Sequence, residues 1–562
     1  MKFSEMPYTR PDPEALKPRI EELTRILMEA QSFEAADAAF REAEELFGHV
    51  ETAGSLCYVR HSINTEDKFY EAEQDFFDEV GPVFQEAQLG FQRALTVCPF
   101  RKEMEQKYGS LLFTNIDMAL RTFKPELIPL MQEENKLVTS YDKLIASAKI
   151  PFRGETLTVS ELAPYREAED DETRHEAWEA TCGFFASHNE EWDSIYDKLV
   201  ALRTEMGKKL GYETFIPLGY DRMNRNSYTA KDVDSFRAAV RDYIVPIADS
   251  LYRAQAKRTN LPYPLSYKDS LLMFRDGNPK PIGTSDDILR NAKDFYHWLS
   301  PETSEFVDAM FDGELMDVLS RKGKQSGGYC THLPDYKVPF VFANFNGTSA
   351  DVETMTHEFG HAFAGWTARD IFPTEYTSPT LESCECHSMS MEFFGWAWAD
   401  KFYGADKEKF LFSHLAGALT FIPYGTMVDH FQHLVYEKPD MSPADRIETW
   451  KELTGIYMPW IKLGDLPFYG EGRAWQRQSH IYEVPFYYID YCLAQTVALE
   501  FWAEMQQDRE AAFQRYLKLV SLAGTRTFRG LLKGADLQDP FEPETLKRVA
   551  AAANEWLKDH TI

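Results

Sequence analysis

Cysteine is scarce: the chain has seven in 562 residues, an odd number at irregular spacing. That excludes a disulfide framework and suits a reducing compartment, so a cytoplasmic location is expected. No apolar run approaches the roughly 18 residues that a membrane helix needs. The opening, MKFSEMPYTRPDPEALKP, has no apolar stretch after its first charges, so no secretory leader is expected. Positive charge is in deficit, with 60 Lys and Arg against 90 Asp and Glu and a net charge of −30. Such a balance argues against nucleic acid or an anionic membrane as the main partner. Repeats of fixed period and low-complexity stretches are missing too, which excludes a solenoid and free domains on long linkers.

What is present is helical periodicity. Ile20, Leu23, Ile26, Leu27 and Ala30 recur at three and four, and similar patterns continue through much of the first half. From Gly327 the pattern changes to GGYCTHLPDYKVPFVFANFNGTSADVETMTHEFGH. Its β-branched and aromatic residues predict a strand near 338–345. Asn346-Gly347 predicts a turn, and a helix opens near Ala350–Asp351. Helical patterning resumes over 380–400, 407–437, 442–455 and 485–520. It is interrupted by a Gly-rich loop at 463–480.

The strongest chemical signal is His357-Glu358-Phe359-Gly360-His361. On a helix the two imidazoles lie one turn apart on one face and can reach one ion, and Glu358 beside them can take a proton from a water held there. The segment 381–392, LESCECHSMSME, offers a third ligand. If it is helical, Glu385, Ser388, Met389 and Glu392 share a face; Glu385 takes the third position and Glu392 partners a ligand histidine. Cys384 and Cys386 point to different sides of such a helix and are expected to pack. Three ligands leave room for water, the arrangement of a catalytic metal rather than a structural one. His480 and the phenols that follow it could serve a developing oxyanion, although aromatic clusters usually pack. His430 and His433 stand one turn apart without a base or a third ligand, so they read as a packed or solvated face. His414 and His332 read likewise.

The glycines 327–328 with Tyr329, the strand VPFVFANFNGT, the THEFGH core and the segment ESCECHSMSMEFF together resemble the thimet-oligopeptidase and oligoendopeptidase F family of zinc metallopeptidases, and above all its bacterial oligoendopeptidase F branch. The resemblance is specific over about 327–395 and again at 480–495. It implies a mainly α, zincin-like fold: two helical lobes enclose a deep substrate channel, and a small β-sheet lies next to the HExxH zinc helix. We expect an N-terminal helical lobe over 1–190 and a catalytic region over 191–562. The implied ligands of one Zn2+ per chain are His357, His361 and Glu385, with Glu392 orienting a histidine and Glu358 as general base. His480 and a following tyrosine are the implied oxyanion donors. Tyr487, Tyr488 and Tyr491 each match some relatives, and Tyr491 with Tyr488 is the expected register. Many relatives carry a histidine three residues after the zinc pair, where this chain has Ala364; that position is not a ligand.

The expected function is zinc-dependent endopeptidase action on oligopeptides. The strand at 338–345 is expected to offer a free edge to an extended peptide, so Gly327, Gly328, Tyr329, Phe342, Ala343 and Tyr487 are substrate-binding candidates. A zinc metallocarboxypeptidase and a catalytically silent helical peptide-binding protein are the alternatives. An oligomer is possible but cannot be read from the sequence.

Overall fold

A computed structural model describes residues 1–560 and 562. The chain is mostly helical, with three small sheets. Near the N-terminus, helices Pro13–Met28, Phe33–Ile63 and Lys68–Val97 pack together. Asp12, Ser32 and Asp67 cap them by accepting backbone N–H bonds, which satisfies donors that the first turn leaves open. Ile20, Leu23 and Leu27 repeat on one face of the first helix and are buried against Phe40, Phe91 and Leu112. Each such side chain contributes about 1.5–3 kcal/mol, so this stripe holds a helix whose other faces are charged.

A larger core runs from Phe3 to Leu557 and contains Trp192, Trp450, Trp460 and Trp475, all fully buried. The boundary expected near 190 falls at the start of helix Asn189–Leu210, whose Trp192 packs on Phe185 with ring centroids 5.9 Å apart. One long apolar stretch, Leu381–Glu437, has the length and hydropathy of a membrane span, but its most apolar window is 67% buried within the fold. It is a core element.

The predicted strand forms at Val338–Phe345 and the predicted helix at Ala350–Ala368. The turn between them has a specific cause. Gly347 takes a φ of +88°, and both Asp351 carboxylate oxygens accept N–H bonds of 2.8 Å, from Asn346 and Gly347. The strand is central in its three-stranded sheet. Met316–Leu319 pairs with it in parallel and Tyr329–Leu333 pairs with it antiparallel. This corrects the expectation that 338–345 offers a free edge: both of its edges are occupied, and the outer edges of the sheet belong to Met316–Leu319 and Tyr329–Leu333.

Candidate active site

The helix Ala350–Ala368 carries His357, Glu358 and His361, and the helix Leu381–Phe394 lies across it. Gly360 permits the close approach. A Cβ there would stand 2.7 Å from Ser388 Cα and 2.9 Å from the His387 carbonyl oxygen. The contact brings Glu385 Oε2 to 3.2 Å from His357 Nε2 and 3.4 Å from His361 Nε2. Ligands at about 2.0–2.1 Å from a tetrahedral ion stand about 3.3 Å apart, so these separations fit one ion held by the three groups. Cys384, Cys386 and His387 lie outside that group.

Two of the three ligands are themselves held. The Glu392 Oε1 lies 2.7 Å from His357 Nδ1, which leaves Nε2 free for the ion. Glu392 Oε2 lies 2.9 Å from His414 Nε2, and Trp396 Nε1 donates to His414 Nδ1 at 2.9 Å. Glu385 Oε2 accepts from Ser388 Oγ at 2.9 Å, while its Oε1 accepts from the Tyr487 phenol. Burial disfavours the Glu385 anion, yet His361 and His357 hold its carboxyl well below the usual range. Burial instead raises Glu358, against the pull of the two histidines. Its Oε2 is buried and has no partner among the described residues.

These groups open into a cavity of about 760 Å³. Gly327, Gly328 and Tyr329 line it, and a Cβ on Gly328 would lie 3.2 Å from Glu358 Oε1. His480, Tyr487 and Tyr491 form the opposite wall. Gln478 Nε2 donates to His480 Nδ1 at 2.9 Å, so the ring carries its proton on Nε2, which meets the Tyr491 hydroxyl at 3.1 Å. Burial keeps His480 below its ordinary pKa and raises the Tyr491 phenol well above its own, so both stay neutral donors.

Tyr488 packs against Phe421 and Tyr424, with centroids 5.8 Å away in each case, and stands edge-on to His480 at 5.0 Å. Two expected positions fall elsewhere. Phe342 and Ala343 are fully buried in the central strand. Phe342 stacks on Tyr329 at 4.7 Å, and the Ala343 carbonyl accepts from the buried Lys324 ammonium. The fold also brings in three residues that the sequence did not mark as part of the site, His414 among them having been expected only to pack. His414 comes from a helix that begins at Lys407, Trp396 from a short turn after Glu392, and Gln478 from the Gly-rich loop. None belongs to a local spacing; only the buried histidine of the 407–437 helix was a visible signal.

The pattern of the Peptidase M3 N-terminal domain matches residues 3–123, and that of peptidase family M3 matches 300–550. Oligopeptidase PepF of Bacillus subtilis (strain 168) is 22% identical over 282 residues, a stretch that spans 48% of this chain and 41% of that relative. Among solved structures, PZ peptidase A with an inhibitor superposes with a TM-score of 0.98 at 44% identity, covering 99% of both chains. A Bacillus anthracis str. Ames protein designated oligoendopeptidase F superposes at 0.94 with 41% identity, covering 100% of this chain and 98% of that one. Agreement of this extent, with both halves of the family pattern in place, makes the chain a member of peptidase family M3 and a homologue of oligoendopeptidase F.

Proposed function

We propose that this protein is a cytoplasmic, zinc-dependent endopeptidase that hydrolyses internal bonds of short oligopeptides, with Glu358 as general base. The observation that carries the reading is the triangle of His357, His361 and Glu385, spaced for one ion, beside the unpartnered carboxylate oxygen of Glu358. Zinc bound there supplies a Lewis acid that polarises the scissile carbonyl and lowers the pKa of the attacking water toward ~7. Glu358 accepts the proton of that water and returns it to the leaving amine. His480 and Tyr491 donate to the carbonyl oxygen as its charge grows, so they act on the transition state more than on binding. Glu392 and Tyr487 do not touch substrate in this scheme; they orient His357 and Glu385.

The peptide lies along the open edge of Tyr329–Leu333, where its backbone can pair as an added strand. Gly327 and Gly328 let it approach Glu358 closely. A cavity of about 760 Å³ admits an extended segment and not a folded domain, which favours oligopeptides as substrates.

The test is cleavage of an N-blocked decapeptide with mass mapping of the products. The expected result is two multi-residue fragments, loss of cleavage after chelation, and recovery with added zinc. Release of single C-terminal amino acids would instead indicate a carboxypeptidase, and full activity of metal-free protein would overturn the assignment.

A further inference from the structure

Six arginines are buried to below a tenth of their surface: Arg166, Arg174, Arg203, Arg225, Arg237 and Arg446. Five have a carboxylate within 4.0 Å, from Asp269, Glu134, Asp490, Asp429 and Asp197 respectively for the last five. Arg166 has none among the described residues, although the chain carries 90 acidic side chains against 60 basic ones. Its guanidinium sits over the Trp178 ring at 5.4 Å, and its Nε is buried without a hydrogen-bond partner. A buried charge without a counter-ion is expensive, so its retention calls for an anion that arrives from outside the fold.

Arg166 lines the cavity that holds the metal-site residues. A second guanidinium, Arg477, lines the same cavity three residues before His480, is open to it, and also lacks a carboxylate partner among the described residues. Burial lowers the Arg166 pKa, Tyr469 works against that and Arg477 lowers it further, while Tyr469 raises that of Arg477. Among the described residues no acid of the cavity comes within 4.0 Å of either guanidinium, and burial, with Glu483 beside it, raises the Asp142 carboxyl.

We propose that Arg166 and Arg477 form a subsite for a substrate carboxylate, either the peptide's C-terminus or an Asp or Glu side chain at a fixed distance from the scissile bond. Two guanidinium forks match a carboxylate geometrically, and their charge is fully used only when it is bound. The subsite rests on the endopeptidase reading for its role and makes cleavage selective by position rather than by side-chain size.

The experiment compares KM for an otherwise neutral decapeptide as the free acid, as the C-terminal amide, and as amides with one Glu placed at successive positions. The amide is expected to have a KM at least roughly tenfold above that of one carboxylate-bearing peptide, the strength of a charge-assisted contact. Which peptide gains distinguishes terminus from side chain. In Arg477→Gln that ratio falls to about one, and Arg477→Lys restores part of it. Arg166→Gln should act in the same direction, and Arg477 keeps the test decisive if that buried substitution unfolds the protein. A ratio near one in the parent, or a ratio unchanged in Arg477→Gln, overturns the subsite. If the zinc-loaded protein cleaves none of the peptides, the endopeptidase reading fails, and fluorescence anisotropy of the labelled acid and amide still decides the subsite by the same ratio of affinities.

Discussion

Tyr487 and Tyr491 stand one helical turn apart on the same wall, yet their contacts differ, and substitution should separate them. The Tyr487 phenol donates to Glu385 Oε1, whereas Tyr491 meets His480 Nε2 at 3.1 Å. Tyr487→Phe removes a hydrogen bond to a charged ligand, worth about 1.5–3 kcal/mol. Ser388 still holds the other Glu385 oxygen at 2.9 Å, so the carboxylate cannot swing free. The lower end of the range therefore applies, and the metal Kd should rise roughly tenfold. Tyr491→Phe touches no ligand; it should leave metal affinity unchanged and lower kcat by roughly 10²–10³ with little change in KM. The Tyr488 hydroxyl has no hydrogen-bond partner among the described residues and its ring meets His480 only edge-on, at 5.0 Å, so Tyr488→Phe should behave like the parent. Competition with a chromogenic chelator gives the Kd, and kcat is read on metal-saturated protein. The reasoning is refuted if Tyr491→Phe loosens the metal while Tyr487→Phe does not, or if Tyr488→Phe carries the large kcat loss.

His414→Leu leaves Glu392 Oε2 without its partner, so His357 should be held less firmly and metal affinity should fall roughly 10–100-fold; unchanged affinity would remove His414 from the site. His433 tests the fold rather than the chemistry. Burial pushes its pKa from 6.5 to about 4, against the pull of Asp429, and its Nε2 lies 3.1 Å from the Tyr220 hydroxyl. The unfolded imidazole binds a proton below about 6.5 and the folded one does not until about 4, so this stability is full above 6.5 and is lost as pH falls through that window. The loss is at most about 3 kcal/mol, and urea midpoints at pH 7 and pH 4.5 should converge more in His433→Gln than in the parent.

Local chemistry was legible and long-range pairing was not. His357, Glu358 and His361 declare themselves because one helical turn fixes their geometry, and Glu385 and Glu392 follow because they share one face of the next helix. The strand at 338–345 was visible from its residues, but its place between two others depends on chain segments 316–319 and 329–333, which no periodicity specifies. The tyrosines after His480 could not be placed from their spacing, for a definable reason. The chain does not run as one helix from His480 to Tyr491: helix Ser479–Glu483 ends, Phe486 takes a φ of +71°, and a new helix begins at Tyr488. Helical spacing therefore does not carry from His480 to the tyrosines, and the fold sets Tyr487, Tyr488 and Tyr491 all within 5.6 Å of the His480 ring, centroid to centroid. The residues that reach the site from afar, His414 and Arg166, looked like ordinary core side chains in sequence.

The central claim is that Glu358 moves the proton at a metal site built from His357, His361 and Glu385. Glu358→Gln tests it most directly, because the amide occupies the same space but cannot accept a proton. Zinc content and single-turnover cleavage should be measured on the same preparation. Stoichiometric zinc with cleavage reduced by several orders of magnitude is the predicted result. Zinc-loaded Glu358→Gln that cleaves at the parent rate would contradict it.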